Sequence, residues 1–335
     1  RQLISSDENL RANFLEENTR ILEDFRNKDA EKKDIKQFVD IKTAREHRFR
    51  LNEGGPRVKA PKHPGFHEVN DVSLSQLRPF IDWTPFFNTW ELRGKYPAIL
   101  TDPVVGNEAS SLFNDAQQML DRIIEEKWLE PRGVFALFPV IRHGDSVTVL
   151  DPDENTPLTE LHFLRQQRQK AAGLPYYSLA DFLYENETDH IGAFAVSTGF
   201  GIEDKLKEFE AAHDDYRAIL LKALADRLAE AFAEFLHYKV RIQYWGYSDD
   251  EILDLEGLIK EKYQGIRPAP GYPACPEHTE KDTLFSLLKV PEKTGIQLTS
   301  SKAMYPAASV SGWYFAHPSS RYFGVGQIRQ DQVED

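Results

Sequence analysis

The chain has 335 residues, 41 % of them hydrophobic and 12 % aromatic, and a formal net charge of -13. That is enough apolar material for one large core or two smaller ones, and too acidic a chain for a nucleic-acid or anionic-membrane partner, which needs clustered Lys and Arg. A single cysteine, Cys275, excludes an internal disulfide and fits a reducing compartment.

The start, Arg1-Gln2-Leu3-Ile4, leads into charged sequence rather than a signal-peptide core, and no run approaches the roughly 18 apolar residues of a membrane span. A cytoplasmic location is therefore expected. The missing initiator Met and the abrupt Glu334-Asp335 end point to a fragment of a longer chain. Residues 1 to about 50 are expected as charged helix, with Leu10, Phe14, Ile21 and Phe25 forming one apolar stripe. Gly54-Gly55-Pro56 and Pro61-Lys62-His63-Pro64-Gly65 place a linker at about 51–70. The division is thus 1–71, an arm and linker, and 72–335, a compact domain.

Val105 to Trp128 forms a helix pattern with Ala109, Leu112, Phe113, Ala116, Leu120, Ile123 and Ile124 on one face. Pro131-Arg132-Gly133 closes it. Val134–Val140 and Ser146–Leu150 are expected as a hairpin around Arg142-His143-Gly144-Asp145. His190–Ser197 is a further strand, and Glu203 to about Arg241 the longest helical run. Ser309–Phe315 and Tyr322–Ile328 are expected as a C-terminal hairpin. Helices and hairpins without β-α-β alternation argue an α+β fold. Gly-x-Gly-x-x-Gly, Walker A, Gly-x-Ser-x-Gly and His-Glu-x-x-His are all absent, which disfavours the common dinucleotide, phosphate, hydrolase and zinc-protease chemistries.

Four stretches can carry chemistry. Arg267 to His278 holds four prolines and one glycine in twelve residues, a stiff loop that presents backbone groups, Arg267 and Tyr272. Arg267 can clamp a carboxylate; a plain connecting turn is equally open. Cys275 and His278 have Cys-x-x-His spacing, but two ligands do not make a zinc site, and no metal is expected. Asp226, Glu230 and Glu234 share a helix face among small residues, as an interface or as a solvated acidic stripe. Asp82 stands among Phe80, Ile81, Trp83, Phe86 and Phe87, where a carboxylate needs a backbone N–H or a ligand ammonium as partner. Trp313, Tyr314, Phe315, Tyr322 and Phe323 divide between core and a possible stacking surface.

Together these stretches resemble the C-terminal activation domain of cobalamin-dependent methionine synthase. The resemblance rests on Ile81-Asp82-Trp83-Thr84-Pro85-Phe86-Phe87, on Ala223-Leu224-Ala225-Asp226-Arg227-Leu228-Ala229-Glu230-Ala231-Phe232, on Gly265-Ile266-Arg267-Pro268-Ala269 with Gly271-Tyr272-Pro273, and on Ser309-Val310-Ser311-Gly312-Trp313-Tyr314-Phe315. It covers about residue 72 to the end; residues 1–70 look like the segment after a cobalamin-binding domain.

The resemblance implies a single curved α+β domain with a central antiparallel sheet and long flanking helices, unlike Rossmann-type S-adenosylmethionine-binding proteins. It implies a methyltransferase module of methionine biosynthesis. In that family, one electron from flavodoxin or a related reductase and a methyl group from S-adenosylmethionine return inert cob(II)alamin to methylcobalamin. The module then needs the cobalamin domain to act. The family's cofactor contacts fall on Asp82 (α-ammonium), Arg267 (carboxylate) and the pair Tyr322-Phe323 (ribose or adenine). Tyr272 matches a tyrosine facing the cobalt side, and Asp226 and Glu230 match acidic residues at the interface with the cobalamin domain. Arg267→Ala is expected to weaken donor binding and leave folding nearly intact. An interaction module without a ligand of its own is the alternative.

Overall fold

A computed structural model describes residues 8–31, 37–52, 54–55, 57–252 and 255–334. Its centre is one antiparallel sheet whose two middle strands are buried on both faces. β1 (Gly65–Glu68), β2 (Glu130–His143), β3 (Ser146–Leu150), β4 (Pro157–His162), β5 (Thr188–Phe200) and β8 (Ser309–Tyr314) build it in the order β4-β3-β2-β5-β8. β1 pairs with Val134 to Leu137 of β2. A short ribbon of β6 (Gln297–Leu298) and β7 (Met304–Tyr305) lies apart.

Successive side chains of a strand point to opposite faces, and here both faces are covered. On β2, Val134, Ala136, Phe138 and Val140 enter one core, while Phe135 and Leu137 enter the other. On β5 the split is Ile191, Ala193 and Ala195 against Phe194 and Val196. This is why the strands look like continuous apolar runs. Each large side chain so buried contributes about 1.5–3 kcal/mol by area removed from water.

The helices, in chain order, are α1 (Glu8–Glu31), α2 (Ile41–Glu46), α3 (Leu74–Leu77), α4 (Trp83–Thr89), α5 (Gly106–Glu125), α6 (Ile202–Ala211), α7 (Asp215–Lys239), α8 (Leu255–Ile259), α9 (Glu280–Leu288), α10 (Val290–Thr294) and α11 (Gln330–Val333). α5 and α7 share the core on one face of the sheet. The expected face of α5 is inside: Ala109, Leu112, Ala116, Leu120 and Ile123 are buried, and Phe113 and Ile124 partly so. α7 approaches closely because small residues face the sheet. Thr198 of β5 donates to the Ala225 carbonyl at 2.8 Å, and a Cβ on Gly133 would stand 2.8 Å from Val69 and 3.3 Å from Phe232.

Several local expectations are corrected. The run from Glu203 to Arg241 is two helices: His213 turns the chain at φ 53°, and the Asp214 side chain caps α7 by accepting from Arg217 N. Pro131 does not merely close α5; it lies inside β2, at the register shift between Glu130 and Arg132. β1 lies within the stretch expected as a linker. Residues 322–328 are not a strand, because the edge of β8 is already taken. Ile266 exchanges both backbone hydrogen bonds with Phe315, and the Pro268 carbonyl accepts from Trp313 N at 2.9 Å. Of the arm's stripe, the Leu10 and Phe25 side chains lie outside the described residues, and Ile21 is exposed.

The segment around α2 is tied to the body. Val39 N donates to the Gln167 carbonyl at 2.9 Å, and Ile41 N to Asp331 Oδ2 at 2.7 Å. Beside it lies a buried ionic cluster. Arg165 donates to both oxygens of Asp181 at 2.7 Å, and Arg142 to Asp181 Oδ1 at 2.7 Å.

Candidate functional site

The Pro-rich loop after α8 is stiff for identifiable reasons. Gly271 sits at φ +96°, and a Cβ there would stand 2.3 Å from the His278 ring. Gly271 N donates to the Cys275 carbonyl at 2.7 Å, Tyr272 N to Ala269 at 3.1 Å, and Cys275 N to Tyr272 at 2.9 Å. These bonds close a small knot that leaves the Tyr272 side chain 60 % exposed. Gly312 admits the loop onto the sheet, since a Cβ there would meet the Pro268 carbonyl at 2.7 Å.

The loop forms one wall of a cavity of about 470 Å³. Phe194 of β5 and Val310 of β8 come from the sheet, Glu230 from α7, and Tyr322 and Phe323 from the C-terminal tail; Glu261 is also on the wall. Arg267, Tyr272, Tyr322 and Phe323 all line it. The sequence-derived residues from three distant stretches thus meet around one space.

Arg267 is the most constrained of them, its side chain only 18 % exposed. Its backbone N–H donates to Tyr322 Oη at 3.1 Å. Its guanidinium donates from Nη1 to Tyr263 Oη at 2.6 Å and pairs through Nη2 with Glu234 Oε2 at 2.8 Å. Burial opposes the charge, but the Glu234 carboxylate and the Tyr263 and Tyr322 phenols together outweigh it and hold the guanidinium protonated. Desolvation pushes the part-buried Glu230 carboxyl above its ordinary value, and partial desolvation at the cavity wall does the same to the more exposed Glu261 carboxyl and Tyr272 and Tyr322 phenols. For Glu230, Arg227 and Arg267 pull the other way without overcoming it. Phe323 stacks on Tyr177 at 5.6 Å and meets Phe182 edge-on.

Residues 73–335 match the family described as "Vitamin B12 dependent methionine synthase, activation domain". The chain belongs to this family. The activation domain is also similar to a solved structure titled "Crystal Structure of the MetH Reactivation Domain bound to AdoHcy". Sequence identity is 52 % and the TM-score 0.85, over 89 % of this chain and 92 % of that one. The α+β fold with its antiparallel sheet and long helices is the one the resemblance implies. The chain is therefore a domain of a methyltransferase family.

Other expected residues of the activation domain lie differently. Asp82 is not among the residues lining the cavity; its side chain caps α4 by accepting from Thr84 N at 3.0 Å. Of the acidic pair on α7, Glu230 is on the cavity wall, whereas Asp226 is exposed and paired with its neighbour Arg227. Cys275 is buried, and burial pushes its thiol up to about 12, far from a reactive thiolate. Among the described residues, no group of three or more His, Cys, Asp or Glu is placed to hold a metal, and no helix is long and apolar enough to cross a membrane.

Sequence reasoning placed Glu234 on the acidic face of α7 but missed its pairing with Arg267, and it missed Tyr263, Glu261 and Phe194 altogether. Tyr263 lies in a non-helical bend, where no local pattern announces its contact with Arg267. Phe194 and Glu261 carry no local signal either, since only the fold brings them to the cavity.

Proposed function

We propose that this domain binds S-adenosylmethionine in the cavity and positions it for methyl transfer to a cobalamin held by a neighbouring domain of the same enzyme, restoring methylcobalamin. The observation that carries this reading is the convergence of Arg267, Tyr322, Phe323 and Tyr272 on one cavity. Its volume lies within the roughly 300–1,000 Å³ usual for small-molecule sites. The likeness to a reactivation domain solved with AdoHcy supports the same ligand class.

Each residue has a role set by its chemistry. Arg267, protonated and held from behind, pairs with the ligand's α-carboxylate. Phe323 and Tyr322 offer ring faces to ribose or adenine. Asp82 is the residue proposed for the α-ammonium; it caps α4 and is not among the residues lining the cavity, so this contact requires the ligand's amino-acid end to extend beyond them. Tyr272, exposed at the mouth, faces the cobalamin side, and Asp226 with Glu230 meets the cobalamin domain. Bound together, the two cofactors supply an electrophilic methyl group and a nucleophilic cobalt. The domain contributes alignment, and we assign it no general base.

In this reading residues 1–71 are the arm and linker after the cobalamin-binding domain, and 72–335 the ligand-binding unit. Flavodoxin or a related flavoprotein supplies the electron, and the enzyme is cytoplasmic. Calorimetric titration of S-adenosylmethionine into the chain tests the core of it. One-to-one binding is expected. A well-folded sample that binds nothing would overturn it and favour a docking module without its own ligand.

A further inference from the structure

Arg267 points into its cavity because other groups hold it there. α7 carries Glu234 one turn beyond Glu230, behind the cavity rather than among the residues lining it. Its side chain is 11 % exposed. Glu234 Oε2 takes Arg267 Nη2 at 2.8 Å and accepts from Tyr263 Oη at 3.4 Å, while Tyr263 Oη accepts from Arg267 Nη1 at 2.6 Å. Guanidinium, phenol and carboxylate close a triangle.

The charges around it alternate. Glu234 Oε1 faces Arg241 Nη1 at 3.8 Å, and Arg241 is clamped by both oxygens of Glu251 at 2.9 and 2.8 Å. The Arg241 guanidinium also lies 3.8 Å from the Tyr263 ring centroid. Two arginines therefore alternate with two glutamates in a largely buried row. Without Glu234, Arg267 and Arg241 would face each other with no carboxylate between them, since Glu251 pairs with Arg241 alone, and Arg267 would turn away from its present plane.

We infer that Glu234 is a positioning residue for recognition of the ligand's carboxylate: it fixes the Arg267 guanidinium in one plane and leaves the donors it does not use for the ligand. The inference rests on the ligand reading above and deepens it. An arginine free in solution loses rotamer freedom when it grips a carboxylate; one already pinned by Glu234 and Tyr263 loses little. Glu234 thus acts on affinity through Arg267 and touches no reacting atom.

The test compares two ligands sharing the thioether nucleoside: S-adenosylhomocysteine, which has the carboxylate, and 5′-methylthioadenosine, which lacks the amino-acid end. Calorimetry is run on the parent, on the near-isosteric Glu234→Gln, and on Arg267→Ala with and without Glu234→Gln; thermal melts confirm that each is folded. Glu234→Gln is expected to weaken S-adenosylhomocysteine about tenfold, as the loss of a charge-assisted contact implies. Methylthioadenosine should be unaffected, and Glu234→Gln should add nothing once Arg267 is alanine. Equal weakening of both ligands would reduce Glu234 to a structural role and overturn the inference, as would unchanged or tighter S-adenosylhomocysteine binding. A folded parent that binds neither ligand would instead overturn the ligand reading, and the inference with it.

Discussion

The backbone N–H of Arg267 donates to the hydroxyl of Tyr322 at 3.1 Å. That bond joins the Pro-rich loop to the C-terminal tail across the candidate site and is one of the ties that hold two separate stretches of chain at one wall. The tail has no ladder to hold it. Its other ties nearby are single bonds, from Val325 N to the Pro273 carbonyl at 2.8 Å and from Gln166 Nε2 to the Gly324 carbonyl at 2.7 Å.

Tyr322→Phe removes the acceptor and keeps the ring. A neutral hydrogen bond of this kind contributes about 0.5–1.5 kcal/mol, so the variant should bind S-adenosylhomocysteine roughly two- to twelvefold more weakly. Its melting temperature should stay near the parent's, because the lost partner is at a partly open wall. Titration and a thermal melt on the same sample check both; undiminished affinity would mean that the tail does not shape the site.

The expectation that Arg267→Ala leaves folding nearly intact does not survive the geometry. Glu234 would be left largely buried, its nearest cation Arg241 at 3.8 Å. Removing one partner of a buried ion pair costs about 3 kcal/mol or more, mostly through the charge left behind. Arg267→Ala should therefore lose ligand binding and also stability, and Glu234→Ala added to it should restore part of the stability. Denaturant melts of the single and double variants measure this, and purely additive losses would argue against the pair.

How much of this was legible in the sequence depends on the distance over which each feature acts. The stiffness of the loop from Arg267 to His278 follows from its own prolines and glycine, and the apolar face of α5 from its own periodicity. The break between α6 and α7 was not legible: Ala211-Ala212-His213-Asp214 has no Gly or Pro, and only the left-handed His213 marks it. Tyr322 to Ile328 has strand-like composition, yet Ile266 and Pro268 reached the edge of β8 first. By its sequence setting Asp82 suits a cap or a ligand contact, and the cap is what α4 shows. The Arg165–Asp181 and Arg267–Glu234 pairs are set by tertiary structure, and no local pattern announces them.

Gly271→Ala tests the loop knot directly. The new Cβ would collide with the His278 ring and would have to adopt φ +96°, which an L side chain resists. A destabilisation of about 2 kcal/mol is expected, confined to the loop. Amide exchange should rise from Ala269 to Cys275 while β2 and β5 stay protected. Uniformly raised exchange would mean that the knot supports the whole domain.

Glu230 gives a pH dependence whose sign can be worked out. Burial raises its carboxyl above the ordinary glutamate value in the folded state. The folded chain thus holds that proton more tightly than the unfolded one. Below the unfolded value both states are protonated and there is no penalty. As pH rises from there to the folded value, the unfolded state ionises first and stability falls; above it the penalty is constant. Glu230→Gln cannot ionise and escapes the penalty. The variant should therefore melt higher than the parent at pH 7.5, with the difference shrinking as the pH is lowered to 4. A gap that stays constant across that range would show that the gain comes from something other than the buried charge, and a lower melting temperature at pH 7.5 would mean that the ionised carboxylate is stabilised by contacts stronger than Arg227 and Arg267 provide.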